Sequence, residues 1–189
     1  MSLEPLSDGH VEGLRRCAAD PRIWPYMPLD AGTPAGFDRM IGEARAALAL
    51  GTALPFAVRR LSDGAIVGAT RYLDIRPADG NLEIGWTWYA PEAWGTAVNP
   101  EAKLLLLAHA FEGLGAVRVA LCCDARNRRS HDAILRLGAT REGVLRRHRL
   151  VQHGVIRDTV VFSILDDEWP RVKAGLEARL ALAAGAPVG

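Results

Sequence analysis

The stretch from residue 81 to residue 123 constrains the fold more than any other part of this 189-residue sequence. Alternating apolar and polar side chains predict a strand over residues 81–89. Asn99-Pro100-Glu101 then forms a strong helix start, with a capping residue, a proline at the first helical position and an acid in the first turn. The helix that follows is apolar nearly all round, ends at Gly115, and leads into a second strand at residues 117–123. Such a strand–helix–strand order predicts an α/β sheet built around a crossover.

Alternation along residues 81–89 assigns the side chains of the first strand to two faces. One face is predicted to carry Leu82, Ile84, Trp86 and Trp88. The other is predicted to carry Glu83, Thr87 and Tyr89. Gly85 interrupts the strand and indicates a bulge or a close approach of backbone.

The remaining predicted elements flank this unit and form one domain over residues 1–189. Helices are predicted at residues 8–18, 33–50, 127–137 and 167–180, with Asp8 and Asp167 as caps, and strands at residues 3–6, 56–60, 65–75, 140–150 and 159–165. Residues 20–29 contain three prolines and cannot form a regular helix. Residues 181–189 are predicted to be a frayed tail.

Composition excludes several function classes. A formal net charge of +1 gives no bulk electrostatic reason to expect a nucleic-acid or membrane partner. The first residues lack the apolar region of a signal peptide, and the longest apolar block is far shorter than the roughly 20 residues that span a bilayer. Three cysteines make neither a disulfide framework nor a zinc pattern, so we expect reduced thiols in a cytoplasmic protein.

The loop between the first strand and the apolar helix has features of an anion-binding site. Its sequence is Trp94-Gly95-Thr96-Ala97-Val98, and its small residues let backbone approach a phosphate at the positive end of the helix. By itself this signal is weak, because a capped helix after a small-residue loop is more often plain structure.

Two blocks of sequence resemble one family. Residues 91–115, PEAWGTAVNPEAKLLLLAHAFEGLG, resemble the cofactor segment of the GNAT N-acetyltransferases, in the branch of the RimJ/RimL-type protein N-terminal acetyltransferases. The branch pattern W-G-x-G-x-x-x-E-A is matched by Trp94, Gly95, Glu101 and Ala102. Ala97 replaces the second loop glycine, and Asn99 stands where the general GNAT fingerprint has a small residue.

The second block, NRRSHDAILRLGATREG, resembles the N-x-x-S…G-x-x-x-E-G block of the same branch through Asn127, Ser130, Gly138, Glu142 and Gly143. The resemblance implies that Asn127 holds the pantetheine arm between two splayed strands. Ile134 occupies the position where many GNAT enzymes have a tyrosine acid. The resemblance to RimL-like members implies that Ser130 is instead the acid for the departing thiolate. A helix-capping hydroxyl is the structural alternative for Ser130.

This resemblance implies a GNAT-type fold: a mixed, mostly antiparallel sheet of about seven strands flanked by helices, with splayed central strands. It also implies an acetyl-CoA-dependent N-acetyltransferase in which a primary amine attacks bound acetyl-CoA directly, in a ternary complex and without a metal. Glu83 is the expected general base, directly or through water, with a solvated strand carboxylate as its alternative. Backbone N–H groups near residues 85–88 are expected to polarise the thioester carbonyl.

The predicted binding residues fall into two sets. The cofactor set is Trp86, Trp88, Tyr89, Trp94, Gly95, Thr96, Ala97, Val98, Asn99, Lys103, Asn127 and Ser130. The acceptor set is Trp24, Tyr26, Met27 and Arg71, for which a core or surface role is the alternative.

Two questions stay open from sequence. The basic residues Arg141, Arg146, Arg147, His148 and Arg149 could contact CoA phosphates, an acidic acceptor or solvent, and solvent is the default. A non-catalytic acyl-CoA-binding or interaction module is the rival function, kept open by Ala97, Asn99 and Ile134. The acceptor is a protein N-terminus or a small-molecule amine, and a homodimer is also expected.

Overall fold

The computed structural model describes residues 1–183 and 185, which form seven strands and five α-helices. The strands are β1 (Ser2–Pro5), β2 (Ala53–Arg59), β3 (Ile66–Arg76), β4 (Asn81–Tyr89), β5 (Arg118–Asp124), β6 (Thr140–Val151) and β7 (Val155–Leu165). The helices are α1 (Asp8–Ala18), α2 (Pro34–Ala49), α3 (Val98–Ala108), α4 (Arg128–Leu135) and α5 (Trp169–Ala183).

The seven strands form one sheet in the order β1-β2-β3-β4-β5-β7-β6. β4 and β5 pair in parallel, and the other neighbours pair antiparallel. The parallel ladder starts at Asn81–Arg118 and ends at Glu83–Ala120, so the two central strands diverge beyond that pair. The predicted mixed sheet of about seven strands with splayed central strands is confirmed.

Apolar side chains cover both faces of the sheet. On one face, α3, α4 and α5 pack against the sheet through a core that includes Leu106, Ile134 and Leu176. On the other face, α1 and α2 pack against the sheet through a core that includes Leu14 and Phe37. The fork between β4 and β5 therefore lies between two helical layers.

A bulge in β4 overturns the predicted distribution of its side chains. Trp86 has φ +49°, and the register with β3 shifts between the pairs Ala69–Trp88 and Arg71–Gly85. One extra residue reverses the alternation. Leu82 and Ile84 therefore lie in the core beneath α3 and α5, whereas Trp86 and Trp88 lie on the α1–α2 side, and the prediction of one shared face is wrong.

The starts of three helices also differ from prediction. α1 is capped by Ser7, and Asp8, the predicted cap, is its first residue. α3 begins at Val98 rather than after Asn99, so Asn99 lies in the first turn and Ala97 occupies the cap position without a capping side chain. α5 begins at Trp169, so Asp167 is not its cap; ahead of the helix, Glu168 Oε2 accepts the Leu165 N–H at 3.0 Å.

The C-terminal helix is longer than expected. α5 extends to Ala183, three residues into the stretch predicted to be a frayed tail. The remainder of that predicted tail lies outside the described residues, except for residue 185.

Candidate active site

A cavity of about 440 Å³ lies where β4 and β5 separate. Its walls come from β4, β5, the start of α3, α4, the β6–β7 hairpin and the connection between α1 and α2. The predicted site residues that line it are Tyr26, Met27, Glu83, Trp86, Trp88, Tyr89, Trp94, Gly95, Thr96, Asn99, Lys103, Asn127 and Ser130. Residues distant in sequence therefore converge on one space.

Four predicted site residues do not line this cavity. Trp24 is 1% exposed in the core between α1 and the sheet, and its indole N–H donates to the Ala18 carbonyl. Arg71 lies under α2, with its guanidinium 4.5 Å from the centre of the Trp86 ring. Ala97 occupies the cap position of α3, and Val98 is buried in an apolar cluster with Tyr89 and Ala93.

Glu83 stands at the fork because it belongs to the last parallel pair. Burial raises the pKa of the Glu83 carboxyl, while hydrogen bonding from the Cys122 thiol and the charges of Arg149 and Arg157 oppose that rise. Gly85 makes room for this arrangement, since a Cβ there would lie 2.8 Å from Glu83 Oε1. A carboxyl with a raised pKa is suited to accept a proton near neutral pH.

Ser130 lies in the first turn of α4, on the opposite side of β5 from Glu83. The capping role belongs to Asn127, whose Oδ1 accepts the Ser130 backbone N–H at 3.1 Å. The Ser130 hydroxyl therefore does not serve as the cap. The hydroxyl lies against the Cys123 thiol. Burial raises the pKa of that thiol, and the contact with Ser130 opposes the rise.

Lys103 is a buried cation in the cavity wall, only 4% exposed. Its Nζ donates to Thr87 Oγ1 at 2.8 Å, and Thr87 Oγ1 is also 2.8 Å from Thr70 Oγ1. Burial lowers the pKa of Lys103 to about 7, although the charge of Glu83 opposes the shift. Lys103 can therefore be neutral near physiological pH.

The loop before α3 is shaped to leave backbone open to the cavity. Gly95 has φ +74°, and no atom lies within 4 Å of the position that a Cβ would occupy. Trp94 is fixed by a hydrogen bond from its indole N–H to the Tyr89 carbonyl at 2.9 Å. Arg129 of α4 stacks on Trp94, with its guanidinium 3.7 Å from the ring centroid.

Several residues of the cavity wall were not predicted from the sequence. The cavity is lined by five residues that had been assigned no site role, Arg129, Arg136, Arg157, Arg179 and Cys122. It is also lined by His148 and Arg149, from the basic cluster whose contacts stayed open from sequence. The arginines of α4 and α5 gave no local signal, because only the packing of those helices brings them to the cavity. Arg157 could have been noticed as a charged residue within an otherwise apolar strand.

The arrangement fits a long, flexible thioester. Backbone groups of β4 and β5 beyond Glu83 and Ala120 do not pair with each other, so they are free to bind amides of an inserted arm. The open Gly95 loop, the start of α3 and the side chain of Arg129 offer donors and positive charge to phosphates.

Among residues 1–183 and 185, no three His, Cys, Asp or Glu side chains are grouped as metal ligands. None of the described helices has both the length and the apolar character needed to cross a bilayer.

The family model for the acetyltransferase (GNAT) domain matches residues 1–140. The chain belongs to the GNAT acetyltransferase family. The resemblance of its two motif blocks is thereby confirmed, and the sheet with its splayed strands is the GNAT fold.

Individual relatives agree with this GNAT assignment. A GCN5-related N-acetyltransferase from Brucella melitensis is 31% identical, with a TM-score of 0.87 over 95% of this chain and 81% of that one. RimJ of Mycobacterium smegmatis, solved in complex with CoA-disulfide, shares the fold at 23% identity and a TM-score of 0.79, over 94% and 88% of the two chains.

A curated relative in Bacillus subtilis carries the name "Putative ribosomal N-acetyltransferase YdaF". It is 33% identical over 109 residues, which cover 58% of this GNAT chain and 58% of that protein. The match thus spans little more than half of the relative's length. The name of this Bacillus subtilis relative accords with the RimJ/RimL-like branch expected from the motifs.

Proposed function

We propose that this GNAT protein transfers the acetyl group of acetyl-CoA to a primary amine by direct attack in a ternary complex. The observation that carries the proposal is the position of Glu83, a carboxyl with a raised pKa at the point where β4 and β5 separate. Acetyl-CoA would supply the thioester between these strands. A cytoplasmic location and a homodimer stay predictions from the sequence.

Glu83 is the proposed general base. The amine nitrogen forms a bond to the thioester carbonyl carbon, and Glu83 takes the amine proton directly or through one water. The bulge at Trp86 leaves an extra residue outside the β3–β4 ladder, so backbone N–H groups of residues 85–88 are candidates to stabilise the oxyanion.

Ser130 is the proposed acid. As the carbon–sulfur bond breaks, the thiolate takes the hydroxyl proton of Ser130, which is restored from solvent. Support comes from the position of Ser130 in the cavity wall beside Cys123, while Asn127 satisfies the helix end. Base and acid then act on one tetrahedral carbon from two parts of the same cavity wall, Glu83 near Cys122 and Ser130 near Cys123.

The experiment compares Glu83→Gln and Ser130→Ala with the wild type in acetyl-CoA binding and in acetyl transfer to a panel of amines and peptides. Loss of transfer with binding retained supports the proposal. A wild type that binds acetyl-CoA and acetylates no member of the panel would instead favour the rival, a non-catalytic acyl-CoA-binding module.

A further inference from the structure

Two arginines face each other across the β6–β7 hairpin beside the proposed base. Arg149 of β6 is the direct cross-strand partner of Arg157 of β7. A bulge in β6, where Arg147 has φ +49° and its N–H donates to Asp158 Oδ1, sets this register. Like charges directly opposite each other destabilise a sheet. The hairpin therefore keeps an arrangement that costs stability.

Neither arginine is neutralised within the described residues. Arg157 is 8% exposed, and its Nε donates to Thr159 Oγ1 at 3.1 Å, yet no carboxylate of the described chain comes within 4.0 Å of either guanidinium. The nearby acid Asp124 is held by Arg126, with 2.6 Å between Asp124 Oδ2 and Arg126 Nη2. Burial accordingly lowers the pKa of Arg157.

Both arginines line the cavity on the side of Glu83. Their positive charges act on the Glu83 carboxyl and lower its pKa. His148 lines the same wall. Burial is the largest cause that lowers the pKa of His148, and the charges of both arginines lower it further. The carboxylates that line the cavity are Glu83, the proposed base, and Asp124, which Arg126 occupies.

We infer that the amine acceptor carries a carboxylate close to its amino group, as a free amino acid does, and that Arg149 and Arg157 bind this carboxylate. Guanidinium groups match carboxylates in geometry and charge, and a bound anion relieves the repulsion between the paired arginines. Glu83 is then left to the amine. A polyamine would meet net positive charge here and is the disfavoured acceptor. This inference rests on the proposed acetyl transfer.

The kinetic test uses free amino acids, the matching amino-acid amides, aminoalkyl phosphonates and spermidine as acceptors for the wild type. We expect transfer to the free acids, with kcat/KM at least tenfold higher than for the amides or spermidine. Faster transfer to the phosphonates than to the carboxylates would assign the arginines to a phosphoryl group and overturn the carboxylate inference.

Variants of the two arginines test whether they bind the carboxylate of the acceptor. Arg149→Gln and Arg157→Gln should each raise the KM for the free acid about tenfold or more, with the KM for acetyl-CoA unchanged. Arg146→Gln, an exposed arginine of β6 outside the cavity, is the matched control and should leave both constants unchanged. A rise in the KM for acetyl-CoA instead would assign the pair to the cofactor and overturn the inference. Arg149 is exposed, so its variant stays informative if the buried Arg157 variant fails to fold.

A binding measurement separates this inference from the proposed function. Calorimetry of the CoA complex with N-acetyl amino acids and with their amides requires no turnover. Tighter binding of the acid, lost in Arg149→Gln, supports the carboxylate site even if acetyl transfer fails. Equal binding of acid and amide overturns it even if transfer to other amines succeeds.

Discussion

Cys122 and Cys123 are neighbours in the sequence, yet they point to opposite faces of β5 and contact different members of the proposed catalytic pair. The Cys122 thiol lies near Glu83 and lowers the pKa of its carboxyl, and Cys123 lies against Ser130. Burial raises the pKa of Cys122 to about 12, so its thiol stays protonated and acts as a donor rather than a nucleophile. β5 thus separates the side where the amine is proposed to lose its proton from the side where sulfur is proposed to gain one.

Replacing Cys122 should shift the pH dependence of acetyl transfer. Cys122→Ala removes a thiol that lowers the pKa of Glu83, so that pKa rises further. Because a general base acts when deprotonated, the acidic limb of the kcat/KM profile should move to higher pH. Cys17→Ala is the control, since Cys17 Sγ contacts the Ile66 carbonyl on another part of the fold. An acidic limb that stays in place in Cys122→Ala would separate Cys122 from the proton transfer.

Removing the buried charge of Lys103 should stabilise the protein in a pH-dependent way. The folded-state pKa of about 7 lies below the ordinary value of 10.5, so protonation costs stability in full below pH 7. Between these values the unfolded chain binds more protons, and stability rises with pH. Lys103→Met should therefore raise the free energy of unfolding by a few kcal/mol near pH 6, offset in part by the lost bond to Thr87, and by less near pH 10.

Urea unfolding at both pH values measures the effect. Lys173→Met serves as the control, because Lys173 is exposed and its pKa is raised by Glu112, so it should show no gain at low pH. A Lys103→Met variant that is equally destabilised at both pH values would contradict the account of a buried, easily neutralised amine.

At Gly95 there is space for a side chain, but the backbone conformation is unfavourable for any residue other than glycine. Gly95→Ala meets no atom within 4 Å, yet φ +74° is unfavourable for alanine and should cost about 1 kcal/mol of stability. The strained loop should also bind acetyl-CoA more weakly in calorimetry. Gly42→Ala, in the interior of α2 and equally unhindered, should instead be neutral or stabilising. Unaltered acetyl-CoA binding by Gly95→Ala would remove this loop from the cofactor site.

Much of the fold could be predicted because its signals are local. The helix that opens at Thr33-Pro34, the helix predicted over residues 127–137 and the strand predicted over residues 81–89 each depend on a few consecutive residues. The bulge at Trp86 could not be read in this way, because a tryptophan at φ +49° reflects the register of β4 on β3 rather than a preference of the residue. That single residue reversed the predicted face of two tryptophans.

For the candidate site too, local sequence signals could be read, whereas features that depend on strand register could not. The resemblance led to Glu83, Asn127 and Ser130, which share one cavity in the structure. The pairing of Arg149 with Arg157 depends on a bulge in a hairpin, so no pattern in either strand indicated it. From the sequence alone, Arg149 was expected to face solvent, whereas the fold places it in the cavity wall.

The most direct test of the account is acetyl transfer by Glu83→Gln, measured together with its affinity for acetyl-CoA. Glutamine keeps the size of the side chain at the fork but cannot accept the amine proton. We predict unchanged acetyl-CoA affinity and a fall in kcat of about 100-fold or more, the scale of general-base catalysis. A variant that retains wild-type kcat would contradict the assignment of Glu83 as the base and leave the fork between β4 and β5 as a binding feature alone.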